Sequence, residues 1–186
     1  MGLKNGKVIL KNDYLNWLKM FNEEKQILKD LLGEIAITIE HIGSTSIEGL
    51  SPKPIVDIAV GVKDLKDIEQ VKPQLNSIYT IKYNIDSEEI LLIKEESEVT
   101  YFLIHIMKVD SRRYKSAIAF RDYIRSNPES LKQYEQLKIQ LAKKYSDDRK
   151  MYTQAKNNFI KEILENEISN DMYFKIKGDS IGDITF

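Results

Sequence analysis

No cysteine occurs among the 186 residues, which excludes disulfides, thiolate nucleophiles and zinc–thiolate sites. An excess of charge of either sign is lacking as well: 28 Lys and Arg face 29 Asp and Glu, for a formal net charge of −1. Such a chain has no global basic field to recruit nucleic acid, which is therefore not the expected partner. No apolar run approaches the roughly 20 residues of a membrane span, so no membrane partner is expected. The opening Met1-Gly-Leu-Lys-Asn-Gly-Lys lacks the apolar core of a signal peptide, and Gly6 stands where a myristoylation motif needs Ser or Thr. A cytoplasmic location is the expectation. Also missing are a Walker-type phosphate loop, a dinucleotide fingerprint, a His-Glu-x-x-His pair and a Gly-x-Ser-x-Gly elbow.

What is present fits one globular domain: the apolar and charged fractions are 42% and 31%, with no repeat or linker. Helical spacing of Tyr14, Trp17, Leu18, Phe21, Leu28, Leu31 and Leu32 predicts a helix over 12–32 that Gly33 stops. Tyr14 and Trp17 read as core. A second helix is expected over 63–78, with Pro73 kinking or ending it. Strands are expected at 35–42, 55–62, 79–83, 90–94 and 99–109, with a turn at Asn84-Ile-Asp-Ser. Three helices come next, at 112–126, from Pro128 to about 145, and from a cap at Asp147 or Asp148 to about 168. Strands separated by helices, then a run of helices, give an α+β class with a mixed sheet and a helical C-terminal third. Residues 1–168 form the domain; 169–186 are a tail, either a hairpin or disordered.

The stretch 40–62 organises the chain. Gly43 ends a strand rich in β-branched residues, and Ser44, Thr45 and Ser46 come after it with side chains able to cap a helix start. A helix start of this kind suits a phosphate. Pro52 and Pro54 force a loop, and Ile-Val-Asp-Ile-Ala-Val-Gly-Val then reads as a strand buried on both faces. Asp57 alone interrupts that run. A carboxylate there is costly unless it is paired or holds a metal.

His41-Ile-Gly-Ser-Thr-Ser-Ile-Glu-Gly-Leu with Lys53-Pro-Ile-Val-Asp-Ile resembles the signature of the GrpB family, whose largely uncharacterised members belong to the nucleotidyltransferase superfamily. The resemblance extends to Phe120-Arg-Asp-Tyr-Ile-Arg-Ser-Asn-Pro-Glu, to Tyr134, Lys138, Tyr152 and Lys156, and back to Tyr14 and Trp17, covering roughly 10–167. It implies a nucleotidyltransferase-like fold, a nucleoside triphosphate, magnesium and an acceptor that the sequence does not name. In that superfamily a Gly-Ser turn grips phosphates and three acids on two strands hold metal, which clamps the attacking and leaving oxygens. Gly43 and Ser44 match the turn, with Thr45 beside them, and Asp57 matches the first acid. Ala59 stands where the second is expected, and His105 near the third. One of three acids is thus in place, and a phosphate-binding module that has lost transfer stands as the alternative to a transferase.

The other candidates carry two readings each. Asp57 with His105 makes either a one-metal site or a hydrogen-bonded pair. His41, the only other histidine, is either a structural ring or part of a shared catalytic pocket. Glu40 and Glu48 could also lie near Asp57. Lys53 is a phosphate contact on a stiff loop or an exposed lysine. Arg121 and Arg125, one turn apart, can grip one anion, form a buried ion pair, or lie on a solvated face. Lys138 and Lys156 read as solvated lysines of amphipathic helices. Tyr101, Tyr123 and Tyr152 read as core, with base stacking as the other possibility.

Overall fold

Residues 55–62 alternate between two buried environments, and that alternation builds the molecule. In the computed structural model, which describes residues 2–84 and 89–168, strand β3 (Val56–Val62) sits inside a mixed sheet. Its neighbours are β2 (Ala36–Ile42), antiparallel, and β6 (Val99–Lys108), parallel. Antiparallel β5 (Glu89–Glu96) and β4 (Thr80–Asn84) continue the sheet in the order β2-β3-β6-β5-β4. Two-residue β1 (Leu3–Lys4) pairs with the start of β6.

Side chains on a strand alternate in direction. Val56, Ile58, Val60 and Val62 therefore join Phe102, Ile104 and Ile106 in the main core, closed by Trp17, Phe21, Leu28 and Leu32 of α1 (Tyr14–Leu32). Asp57, Ala59 and Gly61 point the other way, toward α3 (Arg112–Ser126), where Ala59 packs with Ile42, Met107, Tyr114 and Ala117. A second core holds Ile47 and Leu50 against Phe120, Tyr134 and Ile160, and so attaches α4 (Pro128–Lys144) and α5 (Arg149–Glu162). A π-helical turn, Ile163–Ile168, extends α5.

Two expectations are corrected. The helix over 63–78 is two pieces, a 3-10 stretch Leu65–Gln70 and the short α2 (Lys72–Asn76). Pro73 has no N–H to donate and so begins the second piece instead of continuing the first. Leu18 faces outward, 36% exposed, and Tyr14 is half-buried, while Trp17, Phe21, Leu28, Leu31 and Leu32 pack inward. The segment before α1 is a strap that the composition of 1–13 did not reveal. Beyond β1, the Val8 N–H donates to the Ser146 carbonyl (2.8 Å), Lys11 N–H to Pro52 (2.9 Å), and Arg149 N–H to Gly6 (3.3 Å). The turn expected at 84–87 falls largely outside the described residues, as does the tail. No helix among the described residues is long and apolar enough to cross a membrane.

Candidate functional site

Gly43 ends β2 at φ +67°, a backbone conformation that L side chains rarely adopt. A Cβ there would lie 2.5 Å from Asp57 Oδ2, so the turn rests directly on the carboxylate. Ser44–Ser46 then form a single 3-10 turn, not the start of an α-helix. Its dipole is accordingly slight, and the anion-attracting helix start expected from the sequence is reduced to backbone and hydroxyl groups. Ser46 Oγ closes the turn on the Gly43 carbonyl (2.6 Å), and Arg125 Nη2 and Nε donate to the Ser46 carbonyl at 2.7 and 3.3 Å.

His41 lies on the α1 side of the sheet, stacked on Phe21 (centroids 4.7 Å apart) and hydrogen-bonded to Thr45 Oγ1 at 3.0 Å. Burial pushes its pKa down to about 3, so the ring is neutral at physiological pH. His105 lies on the α3 side. Its Nδ1 is bonded to Glu89, its Nε2 stands 3.8 Å from Asp57 Oδ1, and Arg113 Nη2 meets Glu89 Oε2 at 3.2 Å. Burial disfavours the imidazolium, but Asp57 and Glu89 together outweigh it and raise the pKa to about 9. The result is an alternating row of charges, Arg113–Glu89–His105–Asp57, that ends at the Gly43 turn.

A pocket opens beyond Asp57, lined by Gly43, Ser44, Thr45 and Lys53, by Arg121 of α3, by Tyr134 and Lys138 of α4, and by Tyr152 and Lys156 of α5. Among the described residues, Asp57 is the only carboxylate in its lining. Lys138 and Lys156 are 1% and 3% exposed, against the expectation that both are solvated. Each stands one helical turn after a tyrosine whose ring it covers: Lys138 Nζ is 5.7 Å from the Tyr134 centroid, and Lys156 Nζ 5.0 Å from that of Tyr152. Lys53, half-buried between two prolines, lies over the Tyr152 ring as well (5.4 Å). Lys138 also donates to the Ser51 carbonyl (2.8 Å) and to Glu135 Oε2 (3.3 Å), while Glu135 accepts the Ser51 N–H (2.9 Å). This clamp fixes the Pro-Lys-Pro loop to α4.

Charge here is crowded. Burial pushes Lys138 down to about 8, only partly opposed by Glu135, with Lys156 adding repulsion. Burial likewise brings Lys156 to about 8, with Asp57 opposing and Arg149 reinforcing. Lys53 is held well below the usual lysine range by burial and by the positive charge of Lys156, Arg149 and Lys138. Burial raises the Tyr134 hydroxyl to about 12, against the pull of Ser44. Tyr152 is fully buried, and its hydroxyl has no hydrogen-bond partner among the described residues. Arg121 is neutralised by Glu40 (2.7 Å) and Asp122 (2.8 Å), and it donates to the His41 carbonyl (3.0 Å).

Of the residues singled out in the sequence, Gly43, Ser44, Thr45, Lys53, Asp57 and Arg121 meet in this pocket. His105 stands behind Asp57; His41 and Arg125 support the turn from outside. Glu40 pairs with Arg121, and Glu48 is exposed. Glu89, Arg113, Glu135 and Arg149 were not foreseen. The twice-repeated Tyr-x-x-x-Lys spacing, Tyr134/Lys138 and Tyr152/Lys156, carried a signal that both lysines share a face with a buried ring. Among the described residues no group of three or more His, Asp or Glu is placed to hold a metal ion.

The family model described as GrpB protein matches residues 7–166. The chain is 35% identical over 170 residues to the glutamate-rich protein GrpB of Alkalihalophilus pseudofirmus, covering 88% of this chain and 98% of that one. It is 32% identical to the UPF0157 protein YqkA of Bacillus subtilis, over 86% of this chain and 46% of the relative. The crystal structure of conserved protein GrpB from Enterococcus faecalis superposes with a TM-score of 0.76 at 32% identity, covering 83% of this chain and 94% of the other. Sequence and fold agree: this chain belongs to the GrpB family.

Proposed function

We propose that this protein is a nucleotidyltransferase-like phosphate-binding protein that takes the phosphates of a nucleoside triphosphate into the pocket at the Gly43 turn. The observation that carries the reading is the imbalance of the lining: three crowded lysines, Lys53, Lys138 and Lys156, share the pocket with a single carboxylate. Burial, with neighbouring cations adding to it, disfavours the charge on these lysines, and phosphate oxygens, strong charge-assisted acceptors, would favour it. Ser44 at the turn supplies a hydroxyl to the same ligand.

Magnesium is the cofactor that the resemblance implies, and the donor set does not fit a resident ion. Among the described residues, Asp57 is the only carboxylate lining the pocket. Ala59 occupies the next position on its face, and on the neighbouring strand His105 is already engaged by Glu89. Hard divalent cations want several oxygen ligands, and lysines beside them are repelled. The reading this favours is nucleotide or phosphate binding without metal-clamped transfer. Metal-dependent transfer to an acceptor is the second reading, favoured by the seating of Asp57 against the Gly-Ser turn.

Calorimetric titration of the four nucleoside triphosphates, with and without magnesium, into wild type and Lys156→Met tests both. Binding to wild type that survives chelation and is lost in Lys156→Met supports the first reading. Binding only with magnesium, lost in Asp57→Ala, supports the second. No binding of any triphosphate overturns both.

A further inference from the structure

The lysine pocket also contains a polar group that the fold leaves unsatisfied. Tyr152 is wholly enclosed, lines the pocket, and its hydroxyl meets no hydrogen-bond partner among the described residues. A buried hydroxyl without a partner is costly. Its ring is flanked by the ammonium groups of Lys53 and Lys156, at 5.4 and 5.0 Å, and these reach it from different segments, the Pro-Lys-Pro loop and α5. Lys138 approaches from α4. Two ammonium groups already lie over the Tyr152 ring and Tyr134 is stacked on Phe159 (5.3 Å), which leaves neither ring suited to stacking on a base. The enclosed part of the pocket measures about 30 Å³, the space of two or three waters, so only a compact group enters it and a nucleoside stays outside.

Resting on the phosphate-binding function proposed for this pocket, we infer that Tyr152, Lys53 and Lys156, with Lys138 behind them, form a metal-independent subsite for a terminal phosphoryl group. The lysines provide the neutralising charge that metal supplies in other phosphate sites, and the Tyr152 hydroxyl donates to a phosphoryl oxygen. The specificity is for the phosphate chain; the nucleoside remains outside the cavity. Sodium tripolyphosphate, which has the chain and no nucleoside, is the discriminating probe.

Tripolyphosphate is titrated calorimetrically in EDTA into wild type, Tyr152→Phe and Lys156→Met, with ATP and magnesium titrated in parallel and the thermal stability of each variant recorded. Tripolyphosphate should bind wild type in EDTA. Tyr152→Phe should weaken it about tenfold, the usual worth of one hydrogen bond to a charged acceptor, and Lys156→Met should weaken it further. Tyr152→Phe should fold with a Tm equal to or above wild type, because its hydroxyl satisfies nothing in the fold; this separates a ligand contact from a structural one. Equal affinity of wild type and Tyr152→Phe for tripolyphosphate overturns the subsite. ATP binding that requires magnesium, with no tripolyphosphate binding in EDTA, overturns the subsite and leaves the nucleotide reading standing. Absence of binding by either probe overturns both.

Discussion

Two groups of buried charge meet at Asp57, and they are built on opposite principles. Along the sheet, Arg113, Glu89, His105 and Asp57 alternate in sign, and each stands against an opposite neighbour. Across the pocket, Lys53, Lys138 and Lys156 lie among one another; Glu135 meets Lys138 from outside, and Asp57 is the one carboxylate among the described residues that line the space. The first arrangement raises the pKa of its histidine to about 9; the second lowers two lysines to about 8. The histidine rises because opposite charges outweigh its burial; the lysines fall because burial outweighs the opposite charges of Glu135 and Asp57, with neighbouring cations adding to it. Alternating charge belongs to the architecture. Like charge crowded together, which the fold maintains at a cost, is what a ligand can complete.

Breaking the alternating row should do the most damage. Glu89→Leu deprives His105 and Arg113 of their shared carboxylate, and a loss of about 3–5 kcal/mol in urea unfolding is expected. A loss below about 1 kcal/mol would show that the row is not stabilising. Gly43→Ala strikes the junction of the two groups. It places a methyl against Asp57 and demands a positive φ of a non-glycine residue, for an expected loss of about 1–3 kcal/mol together with weakened phosphate binding. On the crowded side the sign reverses. Lys156→Met, an apolar replacement of similar length, should stabilise the protein by about 1–2 kcal/mol while removing ligand affinity, which thermal unfolding with and without tripolyphosphate would read.

The pH dependence sharpens the same contrast with smaller effects. His105 has a folded pKa of about 9, above the ordinary 6.5, so its stabilisation is complete below about pH 6.5 and disappears as the pH rises through 9. Lys138 and Lys156 have folded pKa values of about 8, below the ordinary 10.5. Their penalty is therefore full below about pH 8 and vanishes as the pH approaches 10.5. The stability gap between Lys156→Met and wild type should narrow from pH 8 to 10.5, and phosphate affinity should fall across the same interval as the ammonium groups lose their protons. An unchanged gap would assign Lys156 an ordinary, solvated environment.

The fold was more legible than the pocket, and for a physical reason. Apolar patterning reports burial, so the nearly unbroken apolar run of 55–62 located the central strand and the stripe of 12–32 located α1, while Pro73 marked an interruption. Gly43, Ser44 and Asp57 were legible because a glycine turn and a lone acid in an apolar strand break a pattern. Lys138 and Lys156 were misread as solvated because lysine on an amphipathic helix usually is, and only a third element, the Pro-Lys-Pro loop, closes over them. Glu89 was invisible for a related reason. Its partner His105 lies sixteen residues away, and only the antiparallel pairing of β5 and β6 puts the two on one face.

The strap of residues 3–11 bears on how far this pocket can be separated from its surroundings. Every described lining residue falls between Gly43 and Ile160, which suggests that a fragment beginning at β2 would carry these lining residues. Yet the excluded segment crosses the sheet at β6, accepts the backbone of Arg149 at the first turn of α5, and hydrogen-bonds the Pro52 carbonyl beside Lys53. It touches the loop and the helix whose lysines both lie over the Tyr152 ring. Lining residues and the parts that hold them in register are therefore different stretches of chain. The smallest portable unit of this site includes residues that never touch the ligand.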